Sequence, residues 1–179
     1  MDSTTAASLR TLSRALDQAG DVMARVRPEQ LSAPTPCVDW DVSALIGHLL
    51  ADARNFTMTL HGERPDLTAA PEPVRENWTA DFRSAADDLL HAWHERAAES
   101  PGPGPDWHTA EFAVHTWDLA TAIGVPAAQL DDEVADRALA FMQANLTPER
   151  RGTAFGPEQE PPVGGSYDRL AAFAGRSGS

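Results

Sequence analysis

The sequence contains no lysine, and this absence excludes two kinds of chemistry. All 14 basic residues are arginine, so the chain has no side-chain amine for a Schiff base and no phosphate-binding loop of the GxxxxGKS or GxxxxGKT type. Its single cysteine, Cys37, allows neither an internal disulfide nor a cysteine-based zinc ribbon. With 27 acidic residues the net charge is −13, which argues against general binding to nucleic acids or anionic membranes. The chemistry of carboxylates, imidazoles and guanidiniums remains.

Long apolar runs are also missing. No stretch approaches the roughly 20 apolar residues of a membrane span, and residues 1–9 lack the basic and apolar regions of a signal peptide. Together with the lone cysteine, these absences favour the cytoplasm. The 179 residues fit one domain, which at this length buries roughly 70% of its unfolded surface. We therefore expect a single domain over residues 1–179, with neither a membrane nor a nucleic acid as partner.

Apolar residues recur at helical spacing along most of the chain, and no window alternates long enough to predict a strand. The pattern predicts five helices, over residues 3–26, 41–62, 74–99, 109–124 and from 131 onward. A proline- and glycine-rich turn at 100–105 should separate two of them, and a loop at 147–165 should precede a short helix at 168–174. The expected fold is all-α, an antiparallel four-helix bundle with an extra helix and a short C-terminal helix.

The most informative spacing pairs Glu111 with His115 in the fourth predicted helix. Residues four apart project from one face of a helix, so this carboxylate and imidazole can supply two ligands to one divalent ion. His48, in the middle of the second predicted helix and next to the core, is the candidate for the third ligand. Two histidines and one carboxylate with an open position form the donor set of a catalytic zinc or non-haem ferrous site. The same spacing is also typical of an exposed Glu–His pair and a hydrogen-bonded core histidine without any metal.

Two aspartates are candidates for orienting the imidazoles as hydrogen-bond acceptors. Asp52 follows His48 by one turn, and Asp118 follows His115 by three residues. The other histidines indicate polar helix faces or helix ends: His91 and His94 lie on a polar face, His61 ends a helix, and His108 precedes one.

The remaining candidates are Cys37 and two arginines. Cys37 precedes the second predicted helix, and the interpretation we favour is a small buried hydrophobe. A thiol of lowered pKa near a helix N-terminus is the alternative, although no neighbouring base in the sequence supports a nucleophile. Arg169 or Arg176 would suit the carboxylate of a substrate or cofactor, since a guanidinium binds carboxylates through two hydrogen bonds. A surface ion pair is the simpler interpretation for both arginines. Four tryptophans are interpreted as walls of the core or of a pocket: Trp40, Trp78, Trp107 and Trp117.

Three segments resemble the actinobacterial branch of the DinB-like, or YfiT-like, metal-binding family, which is similar to the N-terminal domain of mycothiol-dependent maleylpyruvate isomerase. The segments are TPCVDWDV with LIGHL at 35–49, EFAVHTWDLATAIG at 111–124, and FGPE with DRLAAFAGR at 155–176. The resemblance implies a four-helix fold with a divalent ion, usually zinc but otherwise nickel or iron, held by His48, Glu111 and His115. The isomerase carries a further C-terminal domain with no counterpart here, so maleylpyruvate isomerisation itself is not expected.

We therefore expect a metal-dependent enzyme that activates a low-molecular-weight thiol such as mycothiol. The thiol would be transferred to a small electrophilic substrate or used to isomerise it. Two alternatives stay open: a metal-dependent hydrolase with Asp118 or Asp52 as base, and a non-catalytic bundle that sequesters a small molecule. A homodimer is compatible with the aromatic content of the bundle.

Overall fold

The computed structural model describes residues 3–67, 69–96, 104–151, 155–160 and 164–176. Six α-helices account for most of them: α1 (Ser3–Met23), α2 (Val42–Leu60), α3 (Trp78–Arg96), α4 (Asp106–Ile123), α5 (Asp132–Asn145) and α6 (Ser166–Phe173). Short 3-10 turns lie at Pro28–Gln30, Ala127–Gln129 and Pro148–Arg150. The only β-type pairing in these residues is one isolated bridge between Pro34 and Asp41. The all-α expectation is therefore confirmed.

Local capping residues set one end of each of three helices, α2, α4 and α5. Asp41 precedes α2 and accepts a hydrogen bond from the backbone N–H of Ala44 at 2.8 Å. Asp131 caps α5 in the same way. Gly124 ends α4 with a φ of 76°, the left-handed conformation that suits glycine after a helix. These three boundaries agree with the sequence-based expectation.

Other boundaries differ from the expected ones. The third helix begins at Trp78 rather than near residue 74, because Asn77 has a φ of 55° and interrupts the helical path. α4 begins at Asp106, three residues before the expected start, and α6 begins at Ser166. The expected loop at 147–165 contains the 3-10 turn Pro148–Arg150. The expected helix end at 97–99 and most of the turn at 100–105 lie outside the described residues.

Four helices form a bundle in which each packs on two neighbours. The neighbouring pairs are α1 with α3, α3 with α2, α2 with α4, and α4 with α1, while α5 packs on α4 and α1, and α6 packs mainly on α5. Large apolar side chains fill the interior without exposed surface, among them Leu12, Leu45, Ile46, Leu49, Phe82, Leu89, Phe112 and Leu119. Burying each stabilises the fold by about 1.5–3 kcal/mol. None of the described helices combines the length and apolarity needed to cross a membrane.

Candidate metal centre

His48, Glu111 and His115 converge where α2 meets α4. The Nε2 atom of His48 lies 3.2 Å from Oε1 of Glu111, and Nε2 of His115 lies 3.1 Å from the same oxygen. The two imidazole rings meet edge to face with centroids 4.7 Å apart. One potential ligand atom from each residue lies within 4.8 Å of the other two. The structure thus brings together all three residues that the sequence singles out as ligands, and their binding of a metal stays a prediction.

Helical spacing explains this convergence. Glu111 and His115 project from one face of α4 because they are four residues apart. His48 lies on α2 between Leu45 and Leu49, which have no exposed surface, and this packing holds its imidazole at the edge of the core. The exposed fractions of the three side chains are 20% for His48, 15% for Glu111 and 9% for His115. The cluster is therefore largely shielded but reachable from solvent.

Asp52 adds a second carboxylate to the cluster. Its Oδ2 lies 3.2 Å from Nε2 of His48, the same nitrogen that faces Glu111. A residue that orients a metal-binding imidazole would instead contact the nitrogen that does not bind the metal. Asp52 therefore lies beside the ligand set rather than behind the ring. Burial first, and then the charge of Glu111, raise the pKa of Asp52 to about 8.

The histidines hold Glu111 in its ionised form. Burial alone would raise the pKa of Glu111, but hydrogen bonds from His115 and His48 outweigh it, so the pKa lies below its usual value. Burial would likewise lower the pKa of His115, whereas its hydrogen bonds to Asp118, Cys37 and Glu111 raise it well above the usual value. Protonated imidazole and carboxyl groups thus lie side by side between α2 and α4. A divalent ion can replace such protons because imidazole and carboxylate ligands bind metals in their deprotonated forms.

Asp118 lies on the other side of His115. Its Oδ2 is 3.0 Å from Nδ1 of the ring, opposite the Nε2 atom that faces Glu111, and the carboxyl side chain has no exposed surface. Burial would raise the pKa of Asp118, but the hydrogen bond with His115 and the charge of Arg176 lower it. This is the position expected of an acceptor that orients the imidazole, and the role itself stays a prediction.

The two candidate arginines have different environments. Arg169 is exposed on α6 and pairs with Asp136 of α5 at 3.3 Å, as the surface ion-pair interpretation predicts. Arg176 is buried with 8% exposure, and its Nε and Nη2 atoms lie 3.3 and 3.1 Å from Oδ1 and Oδ2 of Asp118. The surface interpretation was wrong for Arg176, because the chain after α6 turns back toward α4.

Cys37 is the residue that sequence reasoning underestimated. Its Sγ donates a hydrogen bond to Oδ2 of Asp118 at 3.0 Å and lies 3.5 Å from Nδ1 of His115. Cys37 is half-buried and packs against the edge of the core, and its thiol also makes these polar contacts, so the interpretation as a small buried hydrophobe covers only part of its environment. Asp118 and His115 are distant in the sequence, which is why no adjacent base was visible.

A tight turn carries Cys37 to this position. The backbone N–H of Trp40 bonds to the carbonyl of Cys37 at 3.2 Å, and Asp39 between them has a φ of 74°. The hydroxyl of Thr35 donates to the carbonyl of Trp40 at 2.9 Å and accepts from the N–H of Cys37 at 3.1 Å. The indole of Trp40 then lies 4.6 Å, between ring centroids, from His48. Sequence features that could have pointed to Cys37 are therefore a threonine two residues before it and a tight turn directly before a capped helix.

A second group with metal-binding atoms consists of Cys37, His115 and Asp118. The guanidinium of Arg176 already pairs with Asp118, and its Nη2 lies 3.7 Å from the sulfur of Cys37. A permanent positive charge therefore lies where a metal ion would bind to this second group. In the described part of the chain no arginine forms an ion pair with Glu111 or Asp52. Charge therefore favours the His48, Glu111 and His115 set for a cation.

The other histidines lie outside this cluster. His108 is within α4 rather than before it, because the helix starts at Asp106. Its buried ring stacks on Phe56 with centroids 4.0 Å apart and accepts a hydrogen bond from Nε1 of Trp93 at 3.0 Å. His61 follows the end of α2, as expected. His91 is exposed beside Glu95.

Comparisons with known proteins place these residues in a family context. A family model described as the mycothiol maleylpyruvate isomerase N-terminal domain matches residues 12–120. Two uncharacterised proteins of Mycobacterium tuberculosis, one from the CDC 1551 strain and one from H37Rv, are each 30% identical over 177 residues. The alignment covers 92% of this chain and 94% of each relative. No solved structure matches the chain.

Proposed function

The chain belongs to the mycothiol maleylpyruvate isomerase N-terminal domain family, and on that premise we propose that it is a metal-dependent enzyme that acts through a low-molecular-weight thiol. His48, Glu111 and His115 bind one divalent ion, which we propose to be zinc. The thiol, mycothiol being the candidate, is transferred to a small electrophilic substrate or used to isomerise it. The observation that carries this proposal is the convergence of two imidazole Nε2 atoms on one carboxylate oxygen.

The donor set fits such an ion. Two nitrogens and one carboxylate oxygen, with no fourth protein ligand in the set, correspond to catalytic zinc sites rather than to closed structural ones. Glu111 supplies a negative charge that no arginine in the described residues neutralises, and Asp52 adds a second one when it releases its proton. When bound, the ion supplies Lewis-acid chemistry that lowers the pKa of a bound thiol toward neutrality.

The side chains around the set have separate tasks in this proposal. Asp118 accepts a hydrogen bond from the protonated Nδ1 of His115, which leaves Nε2 available as a ligand atom. Trp40 covers the ring of His48 and limits access of water from that side. Asp52 can exchange a proton with a group bound at the ligand set, since its Oδ2 is 3.2 Å from Nε2 of His48.

A second candidate function is metal-dependent hydrolysis, which the position of Asp52 favours. In its ionised form Asp52 would lie within hydrogen-bond reach of a water molecule bound at the ligand set, as a general base must. Turnover of simple esters or amides without any thiol would support hydrolysis. Conjugation of mycothiol to small electrophiles, dependent on both the thiol and the metal, would support the first candidate. Ligand affinity that survives metal removal, with neither activity, would support a sequestering protein instead.

Metal content tests the ligand set directly. Protein purified without chelators should contain about one divalent ion per chain, and Glu111→Gln should lose most of it because a ligand charge is removed while the size is kept. Glu95→Gln is the matched control, because Glu95 also lies beside two histidines, His91 at 3.3 Å and His61 at 3.9 Å, but is 61% exposed. Elemental analysis of the three proteins provides the measurement. Equal metal content in Glu111→Gln and wild type would refute the ligand set.

A further inference from the structure

Asp118 is enclosed by donors from three separate parts of the chain. Its Oδ2 accepts hydrogen bonds from Nδ1 of His115 at 3.0 Å, Sγ of Cys37 at 3.0 Å and Nη2 of Arg176 at 3.1 Å. Its Oδ1 accepts a further bond from Nε of Arg176 at 3.3 Å. The carboxylate has no exposed surface, so these side chains take the place of water around it.

The end of α6 holds Arg176 in place. Gly175 has a φ of 79°, and the backbone N–H of Arg176 bonds back to the carbonyl of Ala171 at 2.9 Å. A Cβ atom on Gly175 would lie 2.5 Å from the backbone of Gly156, so this crossing requires glycine for its close approach as well as its φ. The guanidinium also donates to the carbonyl of Ala174 at 3.1 Å. Its direction toward Asp118 is therefore set by the backbone.

This arrangement determines where the proton of His115 resides. A carboxylate paired with a guanidinium accepts hydrogen bonds and does not donate one, so the hydrogen between Asp118 and His115 belongs to Nδ1. Nε2, which faces Glu111, is then the nitrogen available to a metal. The two bonds from Arg176 also fix the plane of the carboxylate, and with it the plane of the imidazole.

We propose that Arg176 is a positioning residue of the metal centre, which acts through Asp118 to fix the protonated nitrogen and the orientation of His115. The proposal rests on the proposed metal-binding function. Residue 176 lies well beyond the 12–120 segment that the family model matches. The C-terminal part of the chain is thereby assigned a role in a site whose candidate ligands all come from the bundle.

The test compares Arg176→Met with Arg176→Lys and with a matched control. Arg83→Met is the control because Arg83 pairs with Asp21 at 2.8 Å on the exposed side of α1 and α3. Zinc affinity, measured by competition with a chromophoric chelator, should fall by about 10-fold or more in Arg176→Met. Lysine should restore part of it, because the charge returns without the two-pronged geometry. The control should bind zinc as the wild type does.

A second readout needs no metal. In 15N-labelled wild-type protein, Nδ1 of His115 should carry a slowly exchanging proton, and this resonance should weaken or exchange faster in Arg176→Met. Unchanged or tighter zinc binding with an unchanged Nδ1 proton would overturn the proposal. If Arg176→Met fails to fold, Arg176→Lys decides by the same two measurements. A wild-type protein that binds no zinc but shows the proton difference would refute the metal-dependent function and leave the positioning of His115 intact.

Discussion

Replacing Gly47 with alanine should destabilise the fold, although alanine is the better helix former. Gly47 lies in α2 directly before His48, and the chain at Glu72 crosses over it. A Cβ atom at position 47 would lie 2.0 Å from the backbone oxygen of Glu72 and 3.0 Å from its carbonyl carbon. Relief requires the two backbones to separate by about an ångström, since carbon–oxygen contacts below roughly 3 Å are prohibitive.

Either route to that separation has a cost of similar size. If α2 shifts, overpacking costs about 1–3 kcal/mol. If the crossing segment lifts away, the two hydrogen bonds between Ser43 and Val74, at 2.7 and 3.3 Å, are strained or lost, at about 0.5–1.5 kcal/mol each. The intrinsic preference of a helix for alanine returns about 1 kcal/mol. The cost of separation should lie near the upper end of these ranges, because both groups in contact are held by the backbone. After subtracting the helix preference for alanine, the expected net loss of unfolding free energy is about 2 kcal/mol.

The same substitution at Gly20 is the matched control. Gly20 lies in α1, and a Cβ atom there would meet only the side chain of Arg83, at 3.3 Å. That side chain can move, so Gly20→Ala should stabilise the fold by about 0.5–1 kcal/mol. Urea unfolding of the metal-free proteins provides the free energies, and the melting temperature should fall by about 4–8 °C for Gly47→Ala. If Gly47→Ala is as stable as Gly20→Ala, the close approach of Glu72 is refuted.

Two further predictions concern a buried ring and a turn. Burial lowers the pKa of His108 to about 3, so the unfolded chain binds a proton below pH 6.5 that the folded chain does not. Between pH 6.5 and 4.5 this residue should remove about 2.3 kcal/mol of unfolding free energy, because the unfolded imidazole is already half protonated at pH 6.5. Urea unfolding across that range should show a correspondingly shallower pH dependence for His108→Gln, and an equal dependence would contradict the buried neutral ring. Asp39 has a φ of 74°, so Asp39→Val should cost about 1–2 kcal/mol while Asp39→Gly stays within about 0.5 kcal/mol. Equal stabilities of these two variants, measured in the same way, would argue against the left-handed turn.

Local chemistry explains which parts of the fold the sequence predicted. The caps Asp41 and Asp131 act on backbone groups two or three residues away, so their helix starts were predictable. The spacing of Glu111 and His115 is likewise a property of one helix. The position of His48 beside them depends on the packing of α2 on α4, and a four-helix bundle predicts that a facing helix supplies the third ligand.

The surroundings of His115 could not be predicted in this way. Cys37 is 78 residues from His115, and Arg176 is 58 residues from Asp118. Their contacts depend on a turn before α2 and on a reversal after α6, which no spacing within a helix encodes. His108 was misplaced for a smaller reason, because α4 begins three residues earlier than its apolar pattern suggested. Segment boundaries and long-range pairs are set by tertiary packing rather than by local preference.

The pairing of Asp118 with Arg176 imposes an order in time on the assembly of the site. During synthesis, His48, Glu111, His115 and Asp118 are all present 58 residues before the guanidinium that pairs with Asp118. At about 5–20 residues per second this interval lasts roughly 3–12 s. Throughout it the carboxylate of Asp118 has His115 beside it but lacks the guanidinium, and burying it without that second cation would cost free energy. We therefore expect the face of α4 that carries the candidate ligands to reach its final packing only when α6 and the reversal after it have docked.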